Sequence, residues 1–288
     1  MDAPALDRRT MLVHGIGVIL ASSMLLGAMA VAVRAASHEM PAGQVAFFRF
    51  AGSLLILLAL RGRRSLRPRG RWQPVLLRGL LGGFAIFLYY HAISGAGAGL
   101  ATLVHCTYPI WTTLLATTLL HERFDNRLLG ALALFVVGIG IVVGPGADLG
   151  RAATTGSLIA LCSSMLAGGA VATARQLRLT ESAYLVTTYF MAVGALISAP
   201  ALFAGLPPLT PTLQTALLAV VLTSVSGQLL LHQGLGFAPA TQASLTAATA
   251  VVSAAVLEAL LLGEHLGAHT LIGAGVLVAA VGLAVSRR

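Results

Sequence analysis

The length of its apolar runs constrains this chain more than anything else in it. Ten runs of 19 to 24 residues follow one another, approximately 12 to 33, 42 to 60, 74 to 94, 98 to 120, 127 to 145, 155 to 173, 182 to 204, 212 to 235, 240 to 262 and 268 to 286. A bilayer core needs about 20 apolar residues per helix, so each run has the length of one crossing. A transmembrane barrel would show alternating segments of about 10 residues instead. Backbone N–H and C=O groups meet no water in hydrocarbon, and uninterrupted apolar runs satisfy them as helices. With 57% hydrophobic and 9% charged residues, the chain falls far short of the roughly 25% charged residues that a soluble domain carries. A soluble enzyme, a disordered chain and a disulfide-stapled secreted domain are excluded. The expected fold class is an all-α integral membrane protein of ten transmembrane helices. Its weakest boundaries, after Gly95 and after Phe237, rest on Gly and Pro alone.

All 18 basic residues are arginine, and the net charge of +9 would suit a nucleic-acid binder. The distribution argues against one, because the arginines sit in short runs between apolar stretches. Placing the N-terminus in the cytoplasm puts Arg8, Arg9, Arg61, Arg63, Arg64, Arg67, Arg69, Arg71, Arg123, Arg127, Arg175, Arg178, Arg287 and Arg288 inside, and only Arg34 and Arg151 in outer loops. Miscounting by one helix would scramble that bias, so both termini are expected on the inner side of a bacterial inner membrane. Arg8 and Arg9 precede a run too long for the core of a cleavable signal, and none is expected. Cys106 and Cys162 fall inside apolar runs with no metal-type spacing and read as packing residues.

Displacing the chain on itself by 142 residues lays Leu88–Glu122 over Leu230–Glu264, matching Ala96 with Ala238, Ala101 with Ala243, Thr107 with Thr249 and Glu122 with Glu264. The offset is close to half the chain, so it pairs run three with run eight and run four with run nine. Five crossings per half is an odd number, and the second half must therefore enter the membrane from the opposite side. The expected organisation is residues 1–150 as a first five-helix repeat and 151–288 as a second, inverted one. Such a pair supplies two nearly equivalent arrangements, one open to each side.

Three segments carry a resemblance: AFFRFAGSLLILLAL with Arg49, YPIWTTLLATTLLHERF ending the fourth run near Glu122, and AVVSAAVLEALLLGEHLG with Glu264. Over essentially its whole length the chain resembles the drug/metabolite transporter superfamily in its ten-helix EamA-type branch, and within it looks most like the bacterial aromatic amino-acid exporters. That resemblance implies a transporter of small metabolites with a central cavity between two five-helix halves. The second half departs from the first in having Ala250 and Val251 opposite Tyr108 and Pro109. A proline in mid-span loosens a helix, so the two halves are expected to differ in flexibility.

Arg49 and Glu258 stand out as charged residues well inside the runs. Both lie roughly 8 to 10 Å below the outer end by the 1.5 Å rise per residue, close enough in depth to pair. They read either as a substrate anchor or outer-gate ion pair, or as a helix-to-helix tether. Tyr89, Tyr90 and His91 crowd the outer end of run three, and His105, Tyr108 and Trp111 share one stripe of run four. Rings with polar handles suit a partly apolar ligand, against the bland readings of an interfacial belt or lipid-facing packing. His232 and Gln233 take the repeat positions of Tyr90 and His91 and point to an inner vestibule. Tyr184 and Tyr189 either line the cavity or pack. Ser22, Ser23, Ser163 and Ser164 are expected to bond carbonyls of their own helices, and Glu122 and Glu264 to fix short turns.

The chain lacks a GxxxxGK[ST] loop, an HExxH run and filter-like repeats, which argues against an ATPase, an enzyme and a channel. The expectation is a cofactor-free carrier, a monomer in the lipid bilayer, exporting small metabolites, amino acids with aromatic side chains among them. Lipophilic cations or other drug-like substrates are the alternative. Cations would favour Glu258 as anchor, and anions or zwitterions Arg49. Proton coupling through Glu258 or a histidine, and uncoupled flow, are both open.

Overall fold

A computed structural model describes residues 8–96, 98–146, 155–262 and 267–286. Twelve α-helices follow in chain order: α1 (Arg8–Ala36), α2 (Ala42–Ala59), α3 (Gln73–Ala96), α4 (Ala98–His105), α5 (Tyr108–Leu119), α6 (Asn126–Val143), α7 (Thr155–Leu177), α8 (Ala183–Ser198), α9 (Pro211–Gly234), α10 (Ala240–Ala247), α11 (Ala250–Leu262) and α12 (Ala268–Val285). Among the described residues nine helical segments are long and apolar enough to cross a membrane, with α10 and α11 counted as one. The tenth crossing is α4 followed by α5. Helix starts follow local chemistry: the side chains of Asp125, Ser182 and Thr210 accept from the N–H three residues on, at 3.0, 3.2 and 3.1 Å. Pro211 occupies the first helical position of α9, where its missing N–H costs nothing.

Run four breaks at Cys106 and Thr107, and run nine breaks at Ala248 and Thr249. The two sites are repeat equivalents and have the same construction. Thr107 donates from both N–H (3.1 Å) and Oγ1 (2.7 Å) to the Val104 carbonyl, and Thr249 does the same to Thr246 at 3.1 and 2.7 Å. Proline was expected to loosen only the first half. The break recurs without it because a threonine tightening its own turn is common to both.

The strongest helix pairings run between the halves: α3 lies on α7 and α8, α1 on α9 and α11, and α6 on α12. Exchanging the halves turns α3 on α7 into α9 on α1, so the pairing has the symmetry of the repeat. The halves are interleaved in space, helices of each packing chiefly on helices of the other.

Ser22 donates to the Gly227 carbonyl on α9 and Ser163 to the Ala85 carbonyl on α3, each at 2.7 Å. Ser23 reaches the Thr246 carbonyl (3.1 Å) beside one break, and Ser164 reaches Thr107 Oγ1 (2.8 Å) at the other. Of these serines only Ser23 also bonds its own helix, at Ile19; the rest tie helices together, contrary to the simpler expectation. Gly27 and Gly168 are a further pair. A Cβ at Gly27 would stand 2.6 Å from Ser253 Cβ, and one at Gly168 2.5 Å from Trp111 Cβ. Cys106 is buried as expected, whereas Cys162 is exposed on the outside of α7.

Loops 60–72, 120–125, 178–182 and 235–239 gather at one end of the bundle. Glu181 Oε1 accepts from the N–H groups of Arg69 (2.8 Å) and Gly70 (3.0 Å) there, and Glu122 from Ala240 N. His14 near the start of α1 meets Phe237 at 5.3 Å, and Ser286 after α12 accepts from Arg127. Both ends of the described chain thus share this arginine-rich end. We expect Gly27→Ala and Gly168→Ala each to destabilise the detergent-solubilised protein by about 1–3 kcal/mol. Gly17→Ala and Gly140→Ala, which meet nothing within 4 Å, are expected to leave thermal unfolding unchanged.

Candidate functional site

The breaks divide runs four and nine into halves that face opposite ends of the bundle, and those halves differ in burial. Seven of the eight residues of α10 are buried. In its repeat mate α4, Gly99 and the four residues Thr102 to His105 are only half-buried. Across α11 no described side chain is buried, while α5 buries Pro109, Thr112, Thr113 and Ala116. α10 packs on α5 at the arginine-rich end, and among the described residues the equivalent pair, α4 and α11, shows no comparable packing. The bundle is therefore sealed at the arginine-rich end and parted at the other.

Glu122 latches the sealed end. Both its oxygens accept from Ala240 N, at 3.0 and 2.9 Å, where the start of α10 offers free N–H groups, and it pairs with Arg175 at 3.6 Å. Arg175 also donates to the Leu235 carbonyl (2.8 Å), and Arg178 to the carbonyls of His232 (2.6 Å) and Glu181. Burial, with Arg175 adding repulsion, lowers the pKa of Arg178 from its ordinary value. The structural role expected for Glu122 holds; Glu264 lies outside the described residues. A half-open groove of about 450 Å³ beside Arg123, Asp125, Arg127 and Gln242 lies on the outside of this seal.

Above the seal a cluster forms from α3, α4, α5 and α7. His105 lies 4.5 Å from the Tyr89 ring and 6.0 Å from that of Tyr108. Ser163 has one hydroxyl proton, which goes to the Ala85 carbonyl, so the 2.8 Å contact with His105 is a donation from His105 Nδ1–H. Neutral His105 then keeps Nε2 as an acceptor. Tyr89 shares a hydrogen bond with Thr102 (2.7 Å), and Tyr108 donates to the Ser244 carbonyl (3.2 Å), joining α5 to α10. Trp111 is half-buried, and its indole N–H is enclosed without a partner. The cluster offers rings and one histidine acceptor, and the unused Trp111 donor lies three residues beyond Tyr108 on α5.

Other sequence candidates lie elsewhere. Arg49, 2% exposed, does not pair with Glu258: it donates to Ser224 Oγ at 3.0 Å and lies over Phe50. Glu258 meets Arg34 at 3.0 Å, because α11 packs along α1 and reaches its last turn. Tyr184 donates to the Leu57 carbonyl at the end of α2, away from the cluster. Tyr90 packs toward the Phe50 and Phe190 side. His91 is exposed, stacked 4.4 Å from Phe87, and Gln233 is exposed beside buried His232. An outward direction for both follows from helix phase, since each is one position past a residue that faces inward.

Arg78 was missed. It is 5% exposed, within α3, and donates to His232 Nε2 at 3.2 Å. Since arginine only donates, His232 Nε2 is an acceptor and its Nδ1–H goes to Thr187 Oγ1 (2.7 Å), leaving the imidazole neutral. An arginine inside run three was the available signal, masked by its nearness to the Arg61–Arg71 loop.

A family model of EamA-like transporters matches residues 13–144 and again 154–286. The chain belongs to the EamA-like transporter family. It is 28% identical over 275 residues to the pseudopaline exporter CntI of Pseudomonas aeruginosa, in each of two strains, covering 94% of this chain and 96% of that protein. An uncharacterized transporter of Helicobacter pylori is 23% identical over 144 residues, about half of either chain. A solved crystal structure shares the fold, with a TM-score of 0.77 and 19% identity over 93% of this chain and 96% of that one. An EamA-like chain is a multi-pass membrane transporter of small molecules and not an enzyme, and its two family matches coincide with the two halves. Among the described residues no group of three His, Cys, Asp or Glu side chains is placed to hold a metal ion. The exporters named among these relatives carry pseudopaline, so the narrower resemblance to aromatic amino-acid exporters is not what the relatives support.

If Glu122 is the latch, Glu122→Ala loses charge-assisted bonds of about 1.5–3 kcal/mol. Ser244→Cys in a cysteine-free background is then expected to react roughly tenfold faster or more with an impermeant thiol reagent applied at the arginine-rich end.

Proposed function

We propose that this protein exports a small metabolite from the cytoplasm by alternating access, with the arginine-rich end inside and residues 1–150 and 151–288 as inverted repeats. One observation carries the reading: α10 is sealed on α5 while the repeat-equivalent α4 and α11 are parted. A repeat that closes one end and opens the other has a second arrangement with these relations exchanged, and passage between them moves a ligand across. The interleaved packing supports a movement of α1, α9 and α10–α11 against α3, α7 and α4–α5, and in this reading Tyr89, His105, Tyr108 and Trp111 take the substrate. The protein acts as a monomer and needs no cofactor.

The substrate is a metabolite with both flat apolar and hydrogen-bonding parts. Aromatic amino acids meet that description through the ring cluster alone. The similarity to pseudopaline exporters favours the wider class. Lipophilic cations are disfavoured, because Glu258 is engaged by Arg34. Of the ionisable groups in the spans, His105 has a ring nitrogen able to take a proton without breaking a bond, whereas His232 Nε2 faces a guanidinium.

Counterflow of labelled tryptophan, phenylalanine and pseudopaline in proteoliposomes, with and without a pH gradient, tests the reading. We expect Trp111→Ala to lower flux by roughly tenfold and Glu258→Gln to retain it. Any pH-gradient dependence should vanish in His105→Gln and survive in Glu258→Gln. Unchanged flux in Trp111→Ala removes the ring cluster as the site, and no flux of any metabolite removes the export reading. Impermeant labelling of Arg9→Cys and Ser286→Cys from opposite sides of the membrane would overturn the orientation.

A further inference from the structure

Arg78 lies outside the ring cluster and has a surplus of donors. Its Nη2 reaches His232, yet Nε and Nη1 are buried with no acceptor. Its guanidinium lies 4.3 Å over the Phe190 ring. The missing Cβ of Gly82 is what makes room for Nη1 and the Phe190 ring, since a Cβ there would collide with both. Among the described residues the ion pairs are Arg34 with Glu258 and Arg175 with Glu122, so no carboxylate neutralises Arg78. Arginine does not give up its proton, and an uncompensated buried charge is costly inside a membrane. The structural arginines nearby look different: Arg175 and Arg178 point their nitrogens at backbone carbonyls.

A second buried guanidinium is linked to the first through two phenylalanine rings. Arg49 lies 5.1 Å over Phe50, and Phe50 meets Phe190 edge-on at 5.3 Å. Gly194 admits the Phe50 ring, because a Cβ there would lie 2.6 Å from it. Arg49, Phe50, Phe190 and Arg78 therefore form a continuous chain of cation–ring and edge-on ring contacts through α2, α8 and α3. A cation without a carboxylate stands at each end of it.

We propose that Arg78 is the anchor of a carboxylate-binding station on the arginine-rich side of the transport path, with Arg49 as the corresponding cation toward the opposite end. A carboxylate supplies the acceptors that Nε and Nη1 lack and the negative charge that the site lacks. It enters when the Glu122 latch releases α10 from α5. Neutral His232 holds Nη2 in place by its own bond to Thr187, which positions the guanidinium for the anion. This names the substrate class for the export reading and rests on that reading, but binding is measured apart from flux.

The test uses the full-length protein in detergent and follows its thermal unfolding with citrate, L-aspartate and L-phenylalanine, each beside the corresponding carboxamide at matched ionic strength. At least one acid should protect the wild type where its amide does not. Its apparent affinity should fall roughly tenfold or more in Arg78→Met and less in Arg78→Lys, which keeps a charged donor. Salts excluded from protein surfaces stabilise any fold, so equal protection of Arg78→Met and wild type overturns the proposal. So does equal protection by acid and amide, or no protection of the wild type by any acid. Should Arg78→Met not fold, Arg78→Lys and the acid-against-amide comparison decide. Arg78-dependent binding with no counterflow keeps the station and removes export; counterflow with Arg78-independent binding does the reverse.

Discussion

A helix interrupted inside hydrocarbon must find partners for the backbone groups its interruption frees, and this requirement shapes the whole bundle. Thr107 and Thr249 meet it from within, by doubling their bonds to Val104 and Thr246. Ser23 meets it from a neighbouring helix at the Thr246 carbonyl, and Ser164 holds the Thr107 hydroxyl in place. Once the breaks are satisfied locally, α4 and α5, or α10 and α11, can pack differently from each other at no further cost in unsatisfied groups. Gly27 and Gly168 bring α1 and α7 so close to α11 and α5 that each broken run is held against one partner.

Charge is distributed according to the same logic. At the sealed end Arg175 and Arg178 are engaged by carbonyls and by Glu122, and Glu181 holds the backbone of the arginine-rich loop, which makes them parts of a closure. Arg49 and Arg78 are buried with rings and neutral groups instead. Stacking on an aromatic face offsets part of the desolvation of a guanidinium, but it leaves the net charge in place. Under the proposed carboxylate station, these two charges without a carboxylate partner favour an anionic ligand.

Much of the fold was legible from residues alone. The ten runs, their loops and the arginine bias all follow from a period and a length that lipid imposes on any chain. The repeat showed through Thr107 and Thr249 even though their shared role as helix breaks did not, because proline at position 109 drew attention to one half only. Part of the site was legible too. His105, Tyr89 and Tyr108 come together because their spacing on two adjacent helices leaves little choice. Arg49 and Glu258 do not, since equal depth says nothing about which helices adjoin. Tyr184 looked like a cavity residue by composition and instead caps the end of α2.

The sequence by itself determined how many times the chain crosses, which loops share an end, and that the two halves are related by inversion. Each of these depends on local hydrophobic length or on charge in loops, and neither needs a partner to be read. Tertiary structure alone decided that the halves interleave, that Glu258 belongs to Arg34, that Arg78 shares its guanidinium with His232, and which end is closed. Those outcomes depend on which helix faces touch, and in a chain apolar on nearly every face, helix phase is set by small residues and a few hydrogen bonds whose partners lie on other helices, far away in sequence.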